Sequence, residues 1–256
     1  MGLNVSSAVL GTHDSSRPRI RLLTCNVHRH QLDAPRFSEF VSVSNPDIMT
    51  LQDWTHAHDN QLFAQGGWHV ERDGELCVAS RYPIQRIDDV RAGRWTSKGS
   101  VVHYGIQAPW GRIHLLDVHL ASPHEGLQAL FERAHGAISE IEANMVERRV
   151  ESIAASAYAR ELQGPVLLAG DFNTPVDSTI YSDEWSQFSN GFSSVGNGFG
   201  YTYFTRRANL RIDQILAGPS WRFRRCWIGP HVGSPHRPVV ADLDWEGDSS
   251  SQPPDI

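Results

Sequence analysis

The sequence predicts a β-rich α/β fold, with strands in two layers and helices outside them. Three observations predict it. Short apolar runs of strand length recur along almost the whole chain, separated by turn residues. Only two stretches carry apolar residues at helical spacing. Many of the runs end in a carboxylate, an amide or an imidazole, so polar groups are delivered repeatedly to strand ends.

Residues 20–25 are an apolar run suited to a buried strand. Residues 34–44 place Phe37, Phe40 and Val41 at helical spacing. Asp33 is their N-cap, Pro35 lies in the first turn and Asn45-Pro46 ends the helix. Strands are expected at 47–51, 75–80, 84–90, 100–107 and 112–120, the last two joined as a hairpin through Ala108-Pro109-Trp110-Gly111. Residues 126–162 change character. Met145, Val146, Val150, Ile153 and Ala157 recur among Glu and Arg, which predicts a surface helix with that face packed inward. Gln163-Gly164-Pro165 stops it, and residues 166–169 are a fully apolar strand. Loops rich in Gly, Asn and Ser run to Gly200, and strands at 210–217, 221–228 and 239–243 close the pattern. No repeat or low-complexity linker divides the chain, so 19–245 is expected to be one domain. A polar lead-in (1–18) precedes it and a disordered tail (246–256) follows.

Composition agrees. The chain has 256 residues, 40% of them hydrophobic and 20% charged, which suits a globular domain and is too apolar for disorder. Cys25, Cys77 and Cys226 are widely spaced, without a zinc spacing, and Cys25 and Cys77 read as small buried thiols. A net charge of −6 argues against a protein that grips nucleic acid along its backbone. Arg206, Arg207, Arg211, Arg222, Arg224, Arg225 and Arg237, however, share a stretch whose only acid is Asp213. They form either a basic rim for a phosphate or anionic head group, or a set of solvated strand-face arginines. No segment is long and apolar enough to cross a membrane and no signal-peptide pattern opens the chain, so a cytoplasmic location is expected. Trp54, Trp68, Trp95, Trp110 and Trp185 fall in or near expected loops, as core or pocket residues.

The chemistry sits where strands end. Asp171 and Asn173 follow the run from Val166 to Gly170, and Asn26 and Asp53 follow the first two strands in the same way. Oxygen ligands from separate strand ends suit Mg²⁺, which keeps several waters and takes only one or two carboxylates. Singly, each acid is an ordinary turn former; the repetition gives them meaning. His236, with a carboxylate such as Asp213 beside it to set its tautomer, is suited to proton transfer or charge stabilisation at neutral pH.

Gly170-Asp171-Phe172-Asn173, Arg211-Ile212-Asp213 and the segment from His236 to Leu243 together resemble the endonuclease/exonuclease/phosphatase superfamily, over about residues 19–244. The resemblance implies a DNase I-like four-layer α/β/β/α sandwich of two mostly antiparallel sheets, with its site at one edge. It implies that Asn26 and Asp53 bind Mg²⁺, for which Mn²⁺ substitutes, and that Asp171 orients the attacking water or assists the leaving oxygen. Asn173 would hold the phosphate, His119 would donate to a non-bridging oxygen, and His236, oriented by Asp213, would act as base or donor. Arg81, Tyr201 and Arg211 are expected on the substrate side.

Three departures stand out. Asp53 replaces the family's usual Glu, Pro235 replaces the acid of Ser-Asp-His, and His28 stands where some relatives place an acid. Residues 120–127 and 198–202 are also similar to bacterial members related to vancomycin-resistance J-type proteins, which implies a lipid-linked substrate. The expectation is therefore a Mg²⁺-dependent phosphoesterase acting on a small-molecule or lipid-linked phosphoester. The alternatives are a phosphoester-binding protein without catalysis, motivated by Asp53 and Pro235, and a nuclease, which the acidic net charge does not favour.

Overall fold

Alternation along one strand sets up the architecture. In Arg19–Asn26, Ile20 and Leu22 belong to one buried cluster, whereas Leu23 and Cys25 belong to another. A strand buried on both faces needs a layer on each side. The computed structural model describes residues 4–5, 17–64, 66–90, 100–122, 137–204 and 209–247. In chain order the strands of its two large sheets are β1 (Arg19–Asn26), β2 (Ile48–Gln52), β3 (His69–Asp73), β4 (Leu76–Ser80), β5 (Ile84–Asp89) and β6 (Ser100–Ala108). These are followed by β7 (Gly111–His119), β8 (Val166–Asp171), β9 (Ser189–Asn190), β10 (Asp213–Ala217), β11 (Trp221–Ile228) and β12 (Val239–Trp245). One six-stranded sheet has the order β11-β12-β1-β2-β4-β3 and the other β9-β10-β8-β7-β6-β5.

The sheets share a core that includes Ile20, Leu22, Ile48, Tyr104, Leu115 and Leu243. On the outer face of the first sheet lie α1 (Ala34–Ser44) and α2 (Asp59–Phe63), through Phe37, Val41, Leu62 and Phe63. On the outer face of the second lie α3 (Ala137–Glu161) and α4 (Thr179–Glu184), through Ala155, Ala159 and Tyr181. The result is the four-layer α/β/β/α sandwich. The α1 boundaries match the sequence reading, with Asp33 accepting from the Arg36 N–H and Asn45 closing the helix in the left-handed region. Such a cap contributes about 1 kcal/mol. All three cysteines are buried and free.

Two strand pairs are parallel, β1 with β2 and β7 with β8. Parallel neighbours need a crossover, and α1 and α3 lie on those two crossovers. The pairs therefore end together: Asn26 lies opposite Gln52, and His119 opposite Asp171. Gly170 makes the second register attainable. Its φ is +147° and a Cβ there would lie 1.9 Å from the Val118 carbonyl oxygen.

Four expectations change. The α3 face expected inside is outside: Met145, Val146, Val150 and Ile153 are 49, 63, 38 and 44% exposed. The buried face carries Arg148, Glu151, Ser152, Ala155, Ser156 and Ala159. The reason is hydrogen bonding and close approach. Glu151 accepts from the Ala121 N–H at 2.8 Å, Ser152 from Trp185 Nε1 at 3.3 Å, and Ser156 donates to Glu184 at 3.0 Å. Second, Asn4–Val5, placed in the lead-in, pairs with Asn197–Gly198, and Asn4 Nδ2 donates to the Phe192 and Gly196 carbonyls. Third, β3 was not expected, because its residues are only half-buried and lack strand alternation. Fourth, Trp54 and Trp185 are core residues, whereas Trp68 and Trp110 are half-buried. Trp95, Arg206, Arg207, the tail at 248–256 and residues 123–136 lie outside the described residues.

The inverted α3 face gives a stability test. Val146→Lys should change the free energy of unfolding by no more than about 0.5 kcal/mol. Ala155→Leu, on the close-packed face, should cost about 1–3 kcal/mol. Urea denaturation of the two variants decides it; the reverse ranking would mean the exposed face is packed.

Candidate active site

The space between the sheets is apolar at one end and polar at the other. Along β1 and β2 the inward positions run Ile20, Leu22, Thr24, Asn26 and Ile48, Thr50, Gln52, all buried. Along β7, β8 and β10 the same face ends in Asp117, His119, Asp171 and Asp213. Asp213 pairs with Asp171 across antiparallel β10 and β8, and His119 flanks Asp171 on the other side. Three strand registers thus bring these groups together without any long loop.

Asp171 is the centre. Its Oδ1 accepts from the Asn173 N–H at 2.9 Å and its Oδ2 from Asn26 Nδ2 at 3.1 Å. His119 Nε2 lies 3.9 Å and His236 Nε2 3.8 Å from the same Oδ2. His236 Nδ1 donates to both oxygens of Asp213, at 3.1 and 2.9 Å. Burial and the Asp213 charge push the Asp171 carboxyl up from its ordinary range. Burial alone would lower the pKa of His236, but the adjacent Asp213 and Asp171 outweigh it and hold it at about 9. At neutral pH these carboxylates favour an imidazolium at His236, with its Nε2 on the Asp171 side.

Backbone and hydroxyl groups fix these side chains. Thr202 Oγ1 accepts from the Ile212 and Asp213 N–H groups, both at 3.1 Å, which locks the start of β10. Ser234 Oγ donates to the Asn26 carbonyl at 2.7 Å and accepts from the His236 N–H at 3.1 Å, tying the histidine loop to β1. Pro235 contributes only its carbonyl, which accepts from the Phe204 N–H at 3.0 Å. Tyr203 packs its ring 4.6 Å from that of His236. His28, Arg29, Asp53 and Asn173 all have φ near +50°, a conformation that costs non-glycine residues about 1–3 kcal/mol. Four such residues at strand ends around one cluster mark a place where geometry overrides local preference.

The expected residues divide. Asn26, His119, Asp171, Asn173, Asp213 and His236 come together. Asn173 is also a brace, since its Nδ2 donates to the Leu120 carbonyl at 2.8 Å and a phosphate would compete for it. Asp53 lies one residue beyond β2 and lines a pocket of about 360 Å³ with His28, Arg29, His30 and Gln31.

Three expected substrate residues lie elsewhere. Arg81 follows Ser80, which pairs with Ile48 at the far end of β2 from Asp53, and its guanidinium stacks on Trp68 at 3.7 Å. The antiparallel direction of β4 is the reason. Arg211 turns to Phe192 and Ser193. Tyr201 stacks on Phe199 at 5.4 Å, away from the cluster, while Thr202 is buried and structural. Residues 198–202 thus form no part of the Asp171 cluster, and 123–127 lie outside the described residues.

Sequence reasoning missed Tyr203, Arg148 and Asp117. Tyr203 carried a usable signal, two residues from Tyr201 in an alternating segment. Arg148 is buried in α3, and burial lowers its pKa against the pull of Glu151 and Asp171. Asp117 lies beneath the cluster, fully buried, with Gln52 Nε2 donating to its Oδ1 at 2.6 Å and its Oδ2 without a partner. Burial raises its pKa well above the carboxylate range.

Fold and cluster together define a class: a DNase I-like sandwich whose strand ends carry a carboxylate–imidazole–amide centre suited to phosphoester chemistry. Residues 23–236 match the Endonuclease/Exonuclease/phosphatase family, and the chain belongs to it. Members are generally hydrolases of phosphoester bonds and typically depend on a divalent metal. No curated protein matches the sequence. Among solved structures, a humanized D. rerio TDP2 carrying 14 mutations is similar at TM-score 0.67 and 14% identity, over 88% of this chain and 98% of that one. Truncated Caenorhabditis elegans TDP2 is similar at TM-score 0.66 and 14% identity, over 88% and 98%. An endonuclease/exonuclease/phosphatase from Beutenbergia cavernae is similar at TM-score 0.64 and 16% identity, over 90% of this chain and 72% of that one. At these identities the likeness is one of fold.

Asp117 yields a pH test. Burial holds its carboxyl well above the usual carboxylate range in the folded chain, whereas in the unfolded chain it ionises near about pH 3.9. Above that pH the native state holds the extra proton, so this group costs stability as pH rises. Asp117→Asn, which keeps the shape and removes the ionisation, should raise the melting temperature more at pH 8 than at pH 4. A larger gain at pH 4 would show that Asp117 is ionised in the folded protein.

Proposed function

We propose that the chain is a Mg²⁺-dependent phosphoesterase that hydrolyses a phosphate mono- or diester by attack of water. Mn²⁺ would serve as a substitute, and the substrate would be a small-molecule or lipid-linked phosphoester. The observation that carries this reading is the convergence of Asn26 Nδ2, His119 Nε2 and His236 Nε2 on Asp171 Oδ2, all within 3.9 Å. Three nitrogen atoms gathered around one carboxylate oxygen suit the recognition of phosphoryl oxygens.

The donor set fits a hard divalent cation. Asn26 and Asp53 would hold it through oxygen, and the clustered carboxylates of Asp171 and Asp213 supply further oxygens suited to such an ion. When bound, such an ion neutralises charge building on the phosphoryl and leaving oxygens. The chain's own residues do the rest. Asp171, with its pKa raised by burial, is placed to orient the water and accept its proton. His236, held as imidazolium by Asp213, donates from Nε2 to a phosphoryl oxygen, and His119 donates to a second one. Pro235 supplies no carboxylate behind His236, so metal retention would rest on the acids that remain.

Hydrolysis of bis-p-nitrophenyl phosphate and p-nitrophenyl phosphate with Mg²⁺ or Mn²⁺ tests the reading. EDTA should abolish turnover, and Asp171→Ala or His236→Ala should each lower kcat/KM by about 10²–10⁴-fold. Wild-type rates in either variant would sink the proposed site. Binding of phosphoester without turnover would replace the enzyme with a binding protein. A second test concerns position 235: Pro235→Asp should tighten Mg²⁺ binding by calorimetry, and an unchanged or weaker affinity would show that the missing acid is not limiting.

A further inference from the structure

At the open edge of the sandwich, between β11 and the segment 191–204, lies a second cavity of about 820 Å³. Phe192, Phe223 and Cys226 form its apolar floor. A single backbone ladder separates it from the catalytic cluster. Tyr203 and His236 form a β-bridge, the Phe204 N–H donates to the Pro235 carbonyl at 3.0 Å, and the Arg237 N–H to the Thr202 carbonyl at 2.7 Å. Successive side chains along such a ladder point to opposite faces. Tyr203 and His236 therefore pack together on the catalytic side, while Phe204 and Arg237 pack together at 4.1 Å in the cavity.

The cavity interleaves aromatic rings with uncompensated positive charge. Arg222 and Arg224 pair with Asp244. Arg225 lies over Trp227 at 5.0 Å on the outer face of the first sheet, opposite Asp242 across the ladder, whereas Arg237, over Phe204, has no carboxylate partner among the described residues. Arg237 Nε is buried without a hydrogen-bond acceptor. Tyr201 packs edge-on against Phe204 at 6.4 Å and stacks on Phe199 with planes 5° apart, and Phe199 is 47% exposed.

We propose that this cavity is a binding site for a nucleoside phosphate, with the base stacked on Phe199 and the phosphate held by Arg237. Aromatic faces alternating with guanidiniums select a planar ring joined to an anion. A bare phosphate would leave the stack unused, and an acyl chain would leave the guanidiniums unused. The net charge of −6 favours one nucleotide over a long polyanion. The site is separate from the catalytic cluster and does not depend on the proposed hydrolysis.

Calorimetry on the full chain in EDTA, where no turnover occurs, tests it with AMP, a 5′-phosphorylated trinucleotide, inorganic phosphate and phosphatidylglycerol vesicles. AMP should bind, and inorganic phosphate should bind about tenfold more weakly or worse. Phe199→Ala and Arg237→Gln should each weaken AMP by about tenfold, and Asp171→Asn should not. Tighter binding of the trinucleotide with the same losses would assign the site to a strand end, and equal or weaker binding to a free nucleotide. Phosphate binding as tight as AMP, a loss in Asp171→Asn, or binding of vesicles alone would overturn the proposal. Should Arg237→Gln lower the melting temperature, Phe199→Ala at the exposed edge carries the test, and unchanged AMP affinity in it would overturn the proposal.

Discussion

The approach of two backbones at Val118 and Gly170 is the constraint on which the site depends. A side chain at 170 would collide with the Val118 carbonyl, so only glycine lets β7 and β8 run in parallel at this register. That register puts His119 opposite Asp171, and the β8–β10 register puts Asp213 on its other side. With Asn26 brought in from the facing sheet, the four groups meet where strands end. The strongest chemical signature in the sequence, Gly-Asp-Phe-Asn, is thus a packing requirement and a chemical group in adjacent positions.

The same end of the sandwich carries the electrostatic burden. Asp117, Asp171 and Asp213 are buried within the inter-sheet space, and removing carboxylates from water costs free energy unless each is paired or protonated. The structure meets the cost differently at each. Asp213 has the adjacent His236 imidazole, Asp171 accepts from Asn26 and from the Asn173 N–H, and Asp117 accepts from Gln52 while burial raises its pKa. Strained residues at 28, 29, 53 and 173 add to the burden. The apolar half of the core, from Ile20 to Leu115 and Leu243, supplies the stability that offsets it.

The wall formed by Thr202–Phe204 and Pro235–Arg237 joins the two cavities. His236 and Arg237 are neighbours in sequence on opposite sides of it, as are Tyr203 and Phe204. Pro235 is part of this wall through its carbonyl, which accounts for a structural use of the position where relatives place an acid. A proline there has a fixed φ, which restrains the wall, while the charge around His236 is supplied by Asp213 and Asp171.

Much was legible from the chain alone. Apolar runs, the Asp33 cap and the Asn45-Pro46 stop locate α1 and most long strands, because such features act within a few residues. Asn26, Asp171, Asp213 and His236 were legible as a set because the first three end or begin a strand and His236 precedes one, each in a recognisable motif. Which way α3 turns, where Arg81, Tyr201 and Arg211 point, and the buried state of Asp117 were decided only by tertiary structure. The reason is physical. A hydrophobic period says that a helix has an apolar face, but hydrogen bonds from Ala121 and Trp185 and to Glu184 drew the polar face of α3 inward. Likewise, a residue at the end of a strand reaches the site only if that strand runs toward it. Strand direction is set by pairing with partners far away in sequence, as β4 shows for Arg81.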